Sequence, residues 1–165
     1  MIIGLCGAAR SGKDTVASML PFNTYAFAEP MKEACRVIFG WNDEHLHGEL
    51  KDVVDPIFNT SPRHALQTLG TQWGRELVNS NIWLIAAQNK INQSENLILT
   101  DVRFDNEADL ILSNGGIIIR VNRKGLVGVL DHVSESGISS SKITFELDNN
   151  GSLNDLRQLV KNLNL

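Results

Sequence analysis

MIIGLCGAARSGKDT, residues 1–15, begins with an uncharged apolar run and closes on small residues around one lysine. Residues 2–6 have the length and unbroken apolarity of a strand buried on both faces, as in a parallel sheet. Residues 12–20, GKDTVASML, read as a helix stopped by Pro21. Between them, Gly7 to Thr15 have the frame G-x-x-x-x-G-K-[ST] of a phosphate-binding loop, displaced at its last position. Such a loop works by context. A strand delivers the chain, glycines let the backbone curl, and a helix starts with unpaired N–H groups facing an anion. All three conditions are present here, and Lys13 is placed to reach the β- and γ-phosphates of ATP. Gly7, Arg10, Ser11, Gly12, Lys13, Asp14 and Thr15 are therefore the candidate nucleotide-binding residues.

Asp14 stands where a Ser or Thr ordinarily holds magnesium, and Thr15 arrives one place later. Two readings stay open for Asp14. As a first-turn acid it gains about 0.3–1 kcal/mol from the helix dipole. As a magnesium ligand it solves a sharper problem, because a carboxylate beside a triphosphate is repelled unless a cation lies between them. The Thr15 hydroxyl then falls to a phosphate oxygen. Arg10 is either a solvated loop tip or an extra clamp on phosphate.

NTYAFA (23–28) reads as a second strand, followed by a helix from Pro30 to Phe39. Residues 41–60 are mixed, loops with a short helix. A helix is expected over 62–78, capped by Ser61, and another over 81–91. NLILT (96–100) reads as a core strand, 105–113 as a helix ending at Gly115-Gly116, and IIIRVN (117–122) as a strand. Residues 123–142 form a polar loop, ITFEL (143–147) a last strand, and Ser152 with Asp155 caps a final helix. Alternating strands and helices imply a single α/β domain over residues 1–165. Its expected core is a P-loop NTPase-type parallel sheet of about five strands flanked by helices, with a helical substrate-binding insertion over about residues 30–90 and a lid loop over about 122–142.

The 165 residues suffice for a core without staples, and the two cysteines, Cys6 and Cys35, read as buried small hydrophobes. A net charge of −4 argues against a protein whose main task is coating nucleic acid. No apolar stretch has the length of a membrane span, and the N-terminus lacks the basic start of a secretory signal, so the expected location is the cytoplasm.

In an open parallel sheet, ligands bind beyond the C-terminal strand ends. Strand 96–100 runs into TDVRF, which puts Asp101 and Arg103 at that edge. Asp101 suits water-mediated magnesium binding, or orienting Arg103; Arg103 suits a phosphate clamp. The bland alternative is an edge ion pair. Glu107 reads as a first-turn acid with a minor role. In the helix from Pro62, Arg63, Gln67, Thr71 and Arg75 recur every four residues, while Leu66, Leu69, Trp73 and Leu77 fall on other sides. Gly70 and Gly74 each cost about 1 kcal/mol in a helix relative to Ala. A groove that lets a flat, hydrogen-bonding ligand approach the backbone accounts for them. The end of strand 117–122 and the loop after it bring Arg120, Arg123 and Lys124, cations suited to closing over phosphates. His132 reads as a hydrogen-bonding loop residue rather than a base.

Taken together, GAARSGKDT, FAEPMKEA…FG, HGELKDVVD, SPRHALQTLGTQWGREL…W, TDVRFDNEADLI…GG and DHVSE resemble the bacteriophage deoxynucleoside monophosphate kinases, within the nucleoside-monophosphate-kinase-like P-loop proteins. The match runs in order from residue 1 to about 135, and its combination of motifs is far more specific than the loop alone. The resemblance implies transfer of the ATP γ-phosphoryl group to a deoxynucleoside 5′-monophosphate. It assigns Lys13, Asp14 and Thr15 to ATP and magnesium, with Asp14 and Asp101 as metal-binding residues. It assigns Lys32, Lys51, Arg63, Gln67, Thr71, Trp73 and Arg75 to the monophosphate, with Asp101 and Arg103 between the two, and Lys13, Arg103, Asp101 and Arg123 to catalysis. It also makes a homodimer an option and the host cytoplasm the location of a phage-encoded chain. The chain is compact for this family.

Two rivals remain. A kinase of another small molecule uses the same loop, but a hydroxyl acceptor needs a base, bringing Asp101 or His132 forward. A nucleotide-dependent switch lacks its guanine-reading N-K-x-D, since NKIN (89–92) ends in Asn, and no D-x-x-G follows strand 96–100.

Overall fold

The computed structural model describes residues 1–125 and 138–165. DHVSE with His132, and the centre of the expected lid loop, lie outside the described residues. Strands β1 (Ile2–Cys6), β2 (Asn23–Tyr25), β3 (Leu97–Leu99), β4 (Ile117–Asn122) and β5 (Phe145–Asp148) form a five-stranded sheet. Their order is β2-β3-β1-β4-β5 and every pairing is parallel. The α/β expectation holds. Every residue of β1 and β3 is buried, as continuous apolar runs covered on both faces should be. Ile3 pairs with Ile98 on one side and Ile117 on the other, and Cys6 stands opposite Arg120.

Two compact units divide the chain, Met1–Ala26 with Gln88–Leu165, and Phe27–Ala87. The first holds the sheet with helices α1 (Lys13–Ser18), α6 (Asp105–Ser113) and α7 (Leu153–Asn162). Its core joins Ile3, Leu5 and Ile98 to Val16 of α1 and to Leu156 and Val160 of α7. A capping box starts α7: Ser152 N–H donates to Asp155 Oδ2 at 2.7 Å, and Asp155 N–H donates back to Ser152 Oγ at 3.2 Å.

The second unit contains α2 (Glu29–Phe39), α3 (Asp43–Leu46), a 3-10 turn Glu49–Asp52 and α4 (Pro62–Thr68). Helix α5 (Ile82–Asn92) gives its residues through Ala87 to this unit and the rest to the first. Cys35, Trp41 and Leu46 form its core, with Leu66 and Leu69 packed against them. The Trp41 indole stacks on Phe39 at 4.1 Å and donates to Asp55 Oδ2 at 2.7 Å.

Most boundaries shift by one or two residues, and three of the differences have a visible cause. β2 stops at Tyr25, and Phe27 is buried in the second unit instead of extending the strand. β5 starts at Phe145 because Ser140–Lys142 wind into a 3-10 turn whose C-cap is Ile143. The helix expected over 62–78 is α-helical only to Thr68; Leu69–Val78 is a π-helix. The Trp83 indole N–H donates to the Gly70 carbonyl at 2.8 Å, an acceptor that an α-helix would offer to residue 74. A side chain inserted into the backbone ladder is a recognised cause of such distortion. No helix among the described residues is long and apolar enough to cross a membrane.

Candidate functional site

The loop between β1 and α1 is held in a shape that only its own residues permit. Gly7 and Gly12 take φ of 131° and 105°, where side chains are strained. A Cβ on Gly7 would lie 2.3 Å from the Val121 carbonyl, and one on Gly12 would lie 2.4 Å from Asn149 Nδ2. Arg10, at the exposed tip, adopts φ 64°. Ser11 is fully buried and its hydroxyl has no partner among the described residues, which is the state of a donor waiting for an acceptor. Gly12, the N-cap of α1, has no side chain to satisfy the first-turn N–H groups. An anion fits that set of donors.

Lys13 lies over this loop. Its Nζ donates to the carbonyls of Gly7 at 2.9 Å and Ala8 at 2.8 Å. Burial lowers its pKa; Asp14 and, less strongly, Asp101 pull it back up, while Arg103 pushes it down. Loop and strand-edge residues predicted separately thus share one electrostatic cluster.

Asp101 and Arg103 owe their position to backbone bonding. Thr100 N–H donates to Tyr25 O at 3.0 Å and Val102 N–H to Leu5 O at 3.2 Å, so the segment leaving β3 is stitched to β2 and to β1 in turn. Glu107 does more than the minor role expected of it. It is buried, and its Oε2 accepts the N–H groups of Arg103 at 2.7 Å and Phe104 at 3.2 Å. Its position, third in a helix that starts after Phe104, was the available signal.

Arg120 is not a lid cation. It lies within β4, where it bonds the Ile138 carbonyl at 2.6 Å and Glu146 at 3.4 Å. Arg123 is exposed just beyond β4, and Lys124 N–H donates to Asn150 Oδ1 at 2.7 Å. Residues 139–142 are fastened to α6: Ser139 N–H and Oγ–H donate to Asp105, and Lys142 pairs with Asp109.

In the second unit, Arg63, Gln67, Thr71 and Arg75 are all exposed. Arg63 is gripped by Asp52 through Nε and Nη2, which leaves its Nη1 donors outside the fork. Lys32 Nζ lies 3.4 Å from His47 Nδ1, and Lys51 sits on the 3-10 turn. Of the apolar residues on the other sides, Leu66 and Leu69 pack against the unit's core, whereas Trp73 is 47% exposed and Leu77 79%. The glycines have a different explanation from the predicted groove. A Cβ on Gly70 would meet Met31 Sδ at 2.8 Å, and one on Gly74 would meet Trp83 Cζ2 at 2.6 Å. What approaches the backbone is the unit's own packing. Phe58 also stands edge-on to Phe39, with ring centroids 4.9 Å apart.

No group of three or more His, Cys, Asp or Glu is arranged as a metal cage among the described residues. The pair Asp14 and Asp101 beside Lys13 suits magnesium instead, which takes one or two carboxylates and completes its shell with water and phosphate. A separate cavity of about 600 Å³ lies between α1 and α7. Thr15, Arg157 and Lys161 line it, whereas Lys13, Asp101 and Arg103 do not.

Comparison with known proteins adds a family. The sequence model of the deoxynucleotide monophosphate kinases matches residues 43–160. A protein of Acanthamoeba polyphaga mimivirus, provisionally named a deoxynucleotide monophosphate kinase, is 34% identical over 86% of this chain and 84% of its own. The deoxynucleoside-5′-monophosphate kinase of Escherichia phage T5 is 28% identical, covering 98% of this chain and 95% of the phage protein. That alignment spans 238 positions, more than this chain's 165 residues, so the phage protein carries segments absent here. Among solved structures, shikimate kinase from Aquifex aeolicus superposes with a TM-score of 0.57 at 15% identity, over 99% of this chain and 96% of that one, a likeness of fold.

Proposed function

The chain belongs to the deoxynucleotide monophosphate kinase family, and on that premise we propose that it moves the γ-phosphoryl group of ATP to a deoxynucleoside 5′-monophosphate, releasing the diphosphate. The observation that carries the proposal is the cluster of Lys13, Asp14, Asp101 and Arg103 where β1 and β3 end.

The acceptor's phosphate has a second pKa near 6, so at pH 7 it is mostly a dianion and attacks without losing a proton. The protein's task is then alignment and charge stabilisation of a loose phosphoryl transition state. Lys13 exchanges the carbonyls of Gly7 and Ala8 for phosphate oxygens, which are stronger acceptors because they are charged. The buried Ser11 hydroxyl and the first-turn N–H groups of α1 take the β-phosphate side. Asp14 and Asp101 would hold a magnesium ion together with the phosphates, and that ion would supply neutralisation of the phosphate charge. Arg103, its backbone fixed by Glu107, clamps the phosphoryl group in flight, and Arg123 adds a second cation. No general base is needed.

The acceptor falls to the second unit. Arg63, through Nη1, with Lys32, Lys51 and Arg75, supplies positive charge for its phosphate. Gln67 and Thr71 offer hydrogen bonds to the base, and the half-exposed Trp73 a stacking face. A coupled assay offering ATP and magnesium with each deoxy- and ribonucleoside monophosphate in turn tests the proposal. Turnover of one or more deoxynucleotides supports it; turnover of none refutes it.

A further inference from the structure

We propose that Asn149 is a positioning residue of the phosphate loop, holding the Ser11–Gly12 peptide in the orientation that binds nucleotide phosphate; this rests on the phosphate-loop reading above. Asn149 follows the last residue of β5, and its backbone N–H donates to the Asn122 carbonyl at 2.8 Å. The β4–β5 pairing therefore sets its place before its side chain does anything. Its Nδ2 then donates to the Ser11 carbonyl at 2.8 Å, across 138 residues of sequence.

Peptide planarity turns that bond into a control on the loop. In a trans peptide the C=O and the following N–H point in opposite directions. Pinning the Ser11 oxygen from the Asn149 side therefore aims the Gly12 N–H the other way. Among the described residues that N–H has no backbone acceptor. The contact is also close enough to dictate the sequence of the loop. A Cβ at Gly12 would lie 2.4 Å from Nδ2, so the brace and a side chain at residue 12 are mutually exclusive. The neighbouring Asn150 accepts Lys124 N–H at 2.7 Å and fastens the ends of β4 and β5 to each other, so the brace rests on a fixed support.

The test measures affinity for ATP directly, in the absence of any acceptor, on wild type, Asn149→Ala and Asn149→Asp. Asn149→Ala deletes the donor. Asn149→Asp keeps the shape but turns an oxygen toward the Ser11 carbonyl. Loss of one ordinary hydrogen bond corresponds to about five- to tenfold weaker binding, with the isosteric acid weakened further. The acceptor KM and the melting temperature should stay close to wild type. Unchanged ATP affinity in either folded variant overturns the proposal, as does a loss that moves ATP affinity, acceptor KM and melting temperature together. Failure of wild type to phosphorylate any deoxynucleotide while still binding ATP would overturn the acceptor assignment and leave this inference standing.

Discussion

Lys13 places two donors on loop carbonyls, yet burial has already lowered its pKa, so the folded protein holds its charge at a disadvantage that an anionic ligand would relieve. Lys13→Ala should accordingly bring turnover down by on the order of a hundred- to a thousandfold, the scale of deleting one preorganised charge-stabilising group. The melting temperature should hold, since the bonds lost are two side-chain contacts to exposed loop carbonyls. A coupled assay beside a thermal melt checks both halves; retained turnover would take the loop out of the chemistry. Arg103 makes a different prediction because its backbone, not its guanidinium, is what Glu107 fixes. Arg103→Ala therefore leaves the turn in place and removes only the clamp. The rate constant should fall by on the order of a hundredfold while ATP affinity changes little. Equal loss of both would place Arg103 in ground-state binding instead.

At the scale of the element, the segment from Pro62 to Val78 separates what sequence shows from what it hides. Its helical character and its Ser61 cap were legible, and His64 N–H does donate to Ser61 Oγ at 3.3 Å. Its change to a π-helix at Leu69 was not, because it goes with a contact from outside the segment, the Trp83 indole of the next helix bonding the Gly70 carbonyl. The two glycines now predict opposite outcomes. In Gly74→Ala the new Cβ meets Trp83 Cζ2 at 2.6 Å and the Leu69 carbonyl at 3.0 Å, and the indole cannot withdraw without losing its bond to Gly70. Overpacking of this kind costs about 1–3 kcal/mol, against about 1 kcal/mol gained from the helix propensity of Ala, so the variant is destabilised. In Gly70→Ala the obstacle is Met31 Sδ, near the end of a pliable side chain, so propensity wins and stability is unchanged or up by as much as about 1 kcal/mol. Urea midpoints of both variants decide. If Gly74→Ala proves neutral while the acceptor KM rises, the glycine serves a ligand after all.

At the scale of the whole molecule, the parallel sheet was readable because its strands are buried on both faces and so appear as unbroken apolar runs. The loop was readable because its function imposes a fixed spacing. Asn149 and Asp52 were not readable, since one acts through the β1-β4-β5 order and the other through a fork to Arg63, and neither leaves a local pattern. Such dispersed polar contacts predict how the molecule responds to acid. Hydrogen bonds hold five carboxyls below their ordinary range: Asp43 from Arg36, Asp52 from Arg63, Asp55 from Trp41, Asp105 from Ser139 and Asp155 from Ser152. A carboxyl depressed in the folded state contributes its full stability above the unfolded value of about 3.9 and loses it as pH falls through the folded value. His47 is also held low, by burial first and then by Lys32, against the opposing pull of Asp43 and Glu29. For that imidazole the loss starts earlier, as pH falls below about 6.5, because the unfolded chain takes up a proton that the fold resists. The melting temperature should therefore be level between about pH 7 and 8, decline slightly below about 6.5, and fall further below about 4, while above about 8.5 the buried thiols of Cys6 and Cys35, held up by desolvation, make it decline again. His47→Gln should remove the first step and spare the second. High salt should weaken the Asp43 and Asp52 pairs, which face arginines, more than Asp55 and Asp105, where His45 and Lys142 add only the last-named contribution, and should leave Asp155, bonded to Ser152 alone, unchanged. A steep fall already complete by pH 5, or a first step that survives His47→Gln, would mean that other groups control the acid response.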